Sequence, residues 1–251
     1  MPLVESMAEE ITIVELIRNG TMSAEMAATL WAAVDEQRSF LTVAIPRFAG
    51  KSTTSNAVLA MRPPGVPARY VEGEPEEMER LKRERLGGYL VVAEFSEAPV
   101  PGYIWGRPVR RVFETVGAGY SLQAALHAGG VGEAIQALTQ GNGVSDEQAS
   151  TFRLVLYIER FGVDPSTFWR RLAEVYEVDR VEGGRPLGRT LFRWRADGDR
   201  FEAPNEPRHF ARDRDDLARR TDVISRLADE GRTGPADVAA ALAAFRAGAR
   251  A

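Results

Sequence analysis

The sequence contains no cysteine, and among its 32 lysines and arginines only two are lysines, Lys51 and Lys82. Histidine is as scarce, at His127 and His209. The missing cysteine excludes disulfides and thiolate metal sites and fits a reducing compartment. No apolar run approaches the roughly 20 residues that a membrane-spanning helix needs. The opening MPLVESMAEE has no basic stretch leading into an apolar one, so no secretory signal is expected and a cytoplasmic location is the default. An excess of positive charge is lacking too. The formal net charge is −4, which argues against a protein built mainly to grip nucleic acid, and no direct nucleic-acid partner is expected.

What is present is a chain of 251 residues, 44% of them apolar, long enough to bury a sizeable core. Its most informative stretch is Leu41-Thr42-Val43-Ala44-Ile45-Pro46-Arg47-Phe48-Ala49-Gly50-Lys51-Ser52-Thr53-Thr54. An apolar run enters a loop broken by Pro46, and Gly50-Lys51-Ser52 opens a segment of helical character from Thr53 to Met61. A buried strand, a phosphate-cradling loop and a helix N-terminus read this way. Phe48, Ala49, Gly50, Lys51, Ser52 and Thr53 are then the candidate cofactor-binding residues. Their backbone N–H groups and the helix dipole face phosphate oxygens. Lys51 places an ammonium against the β- and γ-phosphates of ATP, and Ser52 puts a hydroxyl oxygen on Mg²⁺. A chain that uses arginine almost everywhere carries a lysine where a point charge suits better than a planar fork. The full pattern places a glycine five residues before Gly50; here that residue is Ile45, which resists positive φ. The loop is therefore expected to enter differently.

The rest of the chain reads as alternating helices and strands. Glu10 to Asn19 and a Ser23-capped segment to about Gln37 are amphipathic helices. Val66 to Glu72 reads as a strand and Glu74 to Arg85 as a charged helix. Tyr89 to Glu94 is a continuous apolar run of the kind that helices cover on both faces. An acid at the C-terminal end of such a strand lies at the ligand-binding edge of an α/β sheet, where Glu94 polarises a water or holds Mg²⁺ through its water shell. Ala98 to Pro108 reads as a Pro/Gly-rich surface connection with Tyr103-Ile104-Trp105 exposed, followed by Arg107, Arg110 and Arg111. Gly119 to Ala128 is strand-like and ends at His127, with a helix from Val131 to Leu138 beyond it. Phe152 to Ile158 is another buried strand. Leu172 to Val178, Leu191 to Arg195 and Arg200 to Ala203 suit an antiparallel extension with turns at Gly183-Gly184 and Gly198. Arg212 to Glu230 and Pro235 to about Phe245 close the chain as helices. The fold class is α/β with a mainly parallel sheet.

These signals, in this order, resemble the type II/type IV secretion ATPase family, the motors of secretion, pilus and archaellum machines. The resemblance covers about Ile11 to Phe245. It rests on Ala44 to Thr54 as the phosphate loop, Asn56-Ala57 in the helix after it, and Ala93-Glu94 where the family's second nucleotide strand ends in Gly-Glu. Gly119-Tyr120-Ser121 through Leu126-His127-Ala128 stands in place of its histidine box. Arg170-Arg171-Leu172-Ala173-Glu174-Val175-Tyr176-Glu177-Val178 matches a later strand. The resemblance implies a RecA-like P-loop core over 39–207, between a helical segment at 1–38 and a C-terminal helical segment at 208–251. It also implies ATP and Mg²⁺ as cofactors, Glu94 as catalytic acid, His127 as γ-phosphate sensor and Lys51 as the phosphate lysine. A homo-oligomer, hexameric in the family, is implied as well, peripheral at the inner membrane through a membrane-embedded platform partner. Arginines from a neighbouring subunit complete such sites, and Arg62, Arg69, Arg107, Arg110 and Arg111 are candidates by position.

The departures are Ile45, Ala93, the family's large N-terminal domain, and an acidic box that is not recognisable among Glu72, Glu74, Glu76 and Glu77. Two readings follow: a hydrolysing motor subunit, or a divergent nucleotide-binding scaffold that does not hydrolyse. A GTPase is disfavoured because no Asn-Lys-x-Asp motif is present, and the acceptor pocket of a small-molecule kinase is not apparent.

Overall fold

Alternation along each strand decides which layer a side chain joins. The computed structural model describes residues 11–46, 48–162, 164 and 167–248. The reading of Met1 to Glu10, Arg47 within the loop and the last three residues lie outside them. Among the described residues nine strands form one sheet, in the order β2-β3-β5-β1-β6-β7-β8-β9 with β4 beside β3. They are β1 (Ser39–Val43), β2 (Ala68–Tyr70), β3 (Tyr89–Phe95), β4 (Tyr103–Ile104), β5 (Ser121–Leu126), β6 (Phe152–Phe161), β7 (Trp169–Glu182), β8 (Arg185–Arg195) and β9 (Arg200–Glu202). Every pairing among β1 to β6 is parallel, and β6-β7, β7-β8 and β8-β9 are antiparallel. The mainly parallel sheet with an antiparallel extension is thus the observed architecture, a mixed α/β arrangement.

Helices cover both faces of the parallel part, which is why its strands are apolar without a break. On one face Phe40, Tyr89, Val91, Leu154 and Leu156 meet α1 (Ile13–Arg18), α2 (Ala24–Asp35), α3 (Lys51–Ala60), α8 (Arg214–Asp229) and α9 (Pro235–Gly248). On the other, Leu41, Val43, Leu90, Val92 and Val155 meet α4 (Pro75–Glu84), α5 (Arg107–Val116) and α6 (Val131–Gln136). The ends are set locally. Thr12 caps α1 in a reciprocal box with Glu15, and the Ser23 hydroxyl accepts the Met26 N–H on α2.

Two helices of the second layer are not anticipated by the sequence reading. Helix α5 follows Gly106, carries Pro108 in its first turn, and buries Val109, Val112, Phe113 and Val116 at helical spacing. A short α7 (Asp146–Ala149) is held by a box between Ser145 and Gln148. The segment before α5 differs from expectation as well. Tyr103 and Ile104 pair with Glu94 and Phe95 as β4, Ile104 is buried, and Trp105 is half-buried. The apolar residues of that connection extend the sheet rather than face water. Strands β7 and β8 also run longer than their apolar centres suggest, because cross-strand pairing carries them out to Trp169 and Arg185.

A buried ionic cluster fastens the C-terminal helices to α2. Arg220, almost wholly buried, donates to Asp35 at 2.7 Å and to Asp216 at 2.6 Å. Its guanidinium lies over Trp31, 4.4 Å from the ring centre. Arg246 donates to the other Asp35 oxygen at 2.7 and 3.0 Å and to the Met61 carbonyl. All these charges are paired, the condition under which buried charge is tolerated.

Candidate functional site

Strands β3, β5 and β1 are neighbours and parallel, so their C-terminal ends emerge on one edge. That edge is where open α/β sheets bind ligands. The residues after β1 form a loop to Gly50, Glu94 stands near the end of β3, and His127 follows β5 directly.

The loop solves the missing-glycine problem in its own way. Ile45 is not among the residues with positive φ; Phe48 (60°) and Gly50 (91°) take the left-handed turns instead. The Ile45 side chain lies against Gly129, where a Cβ would come within 2.8 Å of its Cδ1. Gly129 therefore makes room for the isoleucine, and its N–H donates to Glu133 at 2.7 Å. Gly50 then serves as the N-cap of α3, and no side chain caps that helix. Its first N–H groups are left for something other than a capping side chain. Behind the loop, Ser55 Oγ donates to Thr42 Oγ1 at 2.8 Å and pins α3 to β1.

Three side chains converge in front of the helix. Lys51 Nζ lies 3.3 Å from Glu94 Oε2, and His127 Nδ1 lies 3.9 Å from Glu94 Oε1. The Lys51 and Glu94 side chains are 10% and 11% exposed, whereas His127 is 46% exposed. The carboxylate is thus a buried hub between an ammonium and an accessible imidazole. A cavity of about 700 Å³ opens before them. Phe48, Ala49, Gly50, Lys51, Ser52, Thr53, Glu94 and His127 all line it, joined by Ser96, Tyr103 and Arg170. The eight candidates drawn from the loop and the ends of β3 and β5 therefore border one space.

The donor set fits a polyphosphate with its cation. An uncapped helix N-terminus and an ammonium suit anionic oxygens, and the Ser52 hydroxyl suits Mg²⁺. Among the described residues no group of three or more His, Cys, Asp or Glu could hold a metal ion. A cation here would bring phosphate oxygens and water as its remaining ligands.

Other candidates lie elsewhere. Arg62 donates to the Val66 and Leu59 carbonyls, Arg69 to Gly87, Arg110 to Asn142 and Arg111 to Gly73. These four tie the chain to itself, and Arg107 is the exposed one of the five. Glu72, Glu74 and Glu76 are exposed, and neither they nor Glu77 line the cavity. His209 pairs with Asp179 at 2.6 Å, away from the site. Among the cavity residues that sequence reasoning passes over, the charged one is Arg170. It lies in the Arg-Arg pair near the start of β7, a visible signal whose destination is set by long-range pairing.

Fold and site together describe a mixed α/β protein with a cavity at the C-terminal edge of its sheet, bordered by the uncapped N-terminus of α3, Lys51, Glu94 and His127. No family profile matches the chain. Over 212 residues it is 26% identical to the uncharacterized protein MJ0900 of Methanocaldococcus jannaschii. That alignment takes in 76% of this chain and 38% of MJ0900, so the chain spans about two fifths of that relative. In structure it is similar to the VirB11 ATPase from the Brucella suis type IV secretion system, solved with sulphate, at a TM-score of 0.44 and 16% identity. The likeness covers 70% of this chain and 59% of VirB11. It is also similar to the Legionella pneumophila ATPase DotB, at a TM-score of 0.39 and 15% identity, over 55% of this chain and 45% of DotB. Among the described residues no helix is long and apolar enough to cross a membrane.

Proposed function

We propose that the chain binds ATP with Mg²⁺ on a RecA-like core and hydrolyses it as a motor subunit of a secretion- or pilus-type assembly. The observation that carries this reading is the meeting of Lys51, Glu94 and His127 at the mouth of an uncapped helix N-terminus. The N–H groups from Gly50 to Thr53 hold the β-phosphate region, and Lys51 turns from Glu94 toward the β- and γ-phosphates. Ser52 contributes a hydroxyl to the cation. Losing its lysine partner leaves Glu94 as the base for a water attacking the γ-phosphorus; the bond to the β-γ bridging oxygen breaks, giving ADP and phosphate. His127, accessible beside Glu94, donates to a γ-phosphate oxygen and reports whether it is there.

A homo-oligomer in which a neighbour supplies an arginine completes the reading. Arg107 is the exposed candidate on α5. Such a finger is worth roughly a thousand-fold or more in rate, so the isolated chain would turn over slowly. The assembly would sit on the cytoplasmic face of the inner membrane against an embedded platform protein.

A second reading has its own observation. The Glu94 carboxylate is engaged by Lys51, and none of the acids from Glu72 to Glu77 reaches the cavity. A nucleotide-binding scaffold that never hydrolyses has this appearance. Phosphate release by wild type, Lys51→Ala and Glu94→Gln under assembling conditions decides between them. Turnover in wild type that both variants lose supports the motor. Tight ATP binding without turnover supports the scaffold.

A further inference from the structure

Arg170, the second residue of β7, is 122 residues from Phe48 in sequence, yet its side chain lies on the loop. Both Nε and Nη2 donate to the Phe48 carbonyl, at 3.3 and 3.0 Å. Its Cδ passes so close to Gly50 that a Cβ there would meet it at 2.9 Å. Arg170 lines the cavity with Lys51, Glu94 and His127. Across the β6-β7 pair its direct partner is Arg160, so two guanidinium-bearing residues stand opposite each other beside the loop. Like charges placed so destabilise a strand pair. Burial, and secondarily the Arg160 charge, push the Arg170 pKa below its ordinary value. Among the described residues no carboxylate pairs with Arg170.

A partly buried guanidinium whose fork rests on one neutral carbonyl is under-served. Bonds from a charged donor to an anionic oxygen are roughly twice as strong, and the fork matches two phosphate oxygens. An anion arriving in the cavity would also relieve the repulsion from Arg160.

We propose that Arg170 is a second phosphate-binding side chain of this cavity, one that leaves the Phe48 carbonyl for the terminal phosphoryl group of a nucleoside triphosphate. The inference rests on the nucleotide-binding reading and goes beyond it. The chain then carries in cis, on β7, an arginine that separates triphosphate from diphosphate, and the carbonyl it vacates frees Phe48 and its exposed ring. Lys51 serves both nucleotides; Arg170 adds its fork for the terminal group alone.

The test is equilibrium binding of fluorescent ATP and ADP analogues, with Mg²⁺, to the wild-type chain, Arg170→Gln, Arg170→Lys and Lys51→Ala. Circular dichroism checks that each variant is folded. The preference for ATP over ADP should fall about tenfold or more in Arg170→Gln, because one charge-assisted contact to the terminal group is lost. Arg170→Lys, which keeps the charge without the fork, should recover only part of it. An equal loss of ATP and ADP in Arg170→Gln would mean that the arginine only shapes the loop, and the inference would fall. It would fall too if Arg170→Gln matched wild type while Lys51→Ala lost both ligands, with the nucleotide reading left standing. Wild type that binds neither ligand removes the nucleotide reading and the inference together.

Discussion

Lys51 and Glu94 form an ion pair of 3.3 Å between two side chains that are each about nine-tenths buried. One belongs to the first turn of α3 and the other to β3, with β5 lying between β3 and β1 in the sheet. On the proposed nucleotide-binding reading, the carboxylate competes with a phosphate for the ammonium, and a ligand that uses Lys51 weakens this pair.

Removing the negative charge from Glu94 should help binding and harm chemistry. Glu94→Gln is expected to bind ATP as tightly as wild type or up to about tenfold more tightly, since a competing anion is gone. Phosphate release should drop at least about a hundredfold, the range for loss of a general base. Titration with a labelled analogue and a phosphate assay give the two numbers. Binding that collapses in Glu94→Gln as it does in Lys51→Ala would show that the carboxylate holds the loop together instead.

Gly50 combines two constraints that a methyl group violates. Its φ is 91°, and a Cβ would press on the Arg170 stem. Gly50→Ala should cost about 1–2 kcal/mol from the left-handed backbone alone. Because the strain falls on the cap of α3, affinity for nucleotide should fall along with the urea midpoint. A variant as stable as wild type with unchanged affinity would mean that the loop is free to rearrange around the new side chain.

The neighbourhood of Lys51, Glu94 and His127 is legible in the sequence because each lies at the end of an apolar run, and parallel strands place those ends together. The antiparallel extension is legible in its paired glycine turns. What local pattern does not carry is compensation across the fold. Ile45 looks like a broken loop until Gly129, from the loop after β5, supplies the missing space. Arg170 reads as a strand residue until the β6-β7 register brings it onto Phe48. Helix α5 hides behind a connection dense in proline and glycine, although its four buried apolar side chains have helical spacing. Tyr103 and Ile104 look exposed because a two-residue strand has no period to reveal it.

The cluster around Arg220 sets a stability prediction independent of any ligand. Arg220→Ala leaves Asp35 and Asp216 short of a partner and empties the space over Trp31. Breaking a buried pair from one side costs about 3–5 kcal/mol. Asp35 keeps Arg246, which places the expected loss nearer the lower figure. Urea unfolding followed by tryptophan fluorescence would measure it. A change under about 1 kcal/mol would mean that α8 and α9 are not coupled to the core through this arginine.

The turn between β8 and β9 offers a pH dependence whose sign is fixed by chemistry. Asp199 accepts from Arg171 at 2.7 and 2.8 Å and from the Trp194 indole N–H at 2.7 Å. Those bonds, the Arg171 one first, hold its carboxyl down to about 2, against 3.8 ordinarily. A pKa depressed on folding means that the unfolded chain takes up the proton first as pH falls. The contribution of Asp199 is therefore fully present above about pH 4 and disappears as pH drops toward 2. Asp199→Asn should lower the urea midpoint at pH 7 by an amount that persists to about pH 5, shrinks below pH 4 and is mostly gone by about pH 2. The group is exposed, so salt should reduce the difference as well. A gap between wild type and Asp199→Asn that stays constant from pH 7 to pH 2 would assign the effect to the shape of the turn and not to its charge.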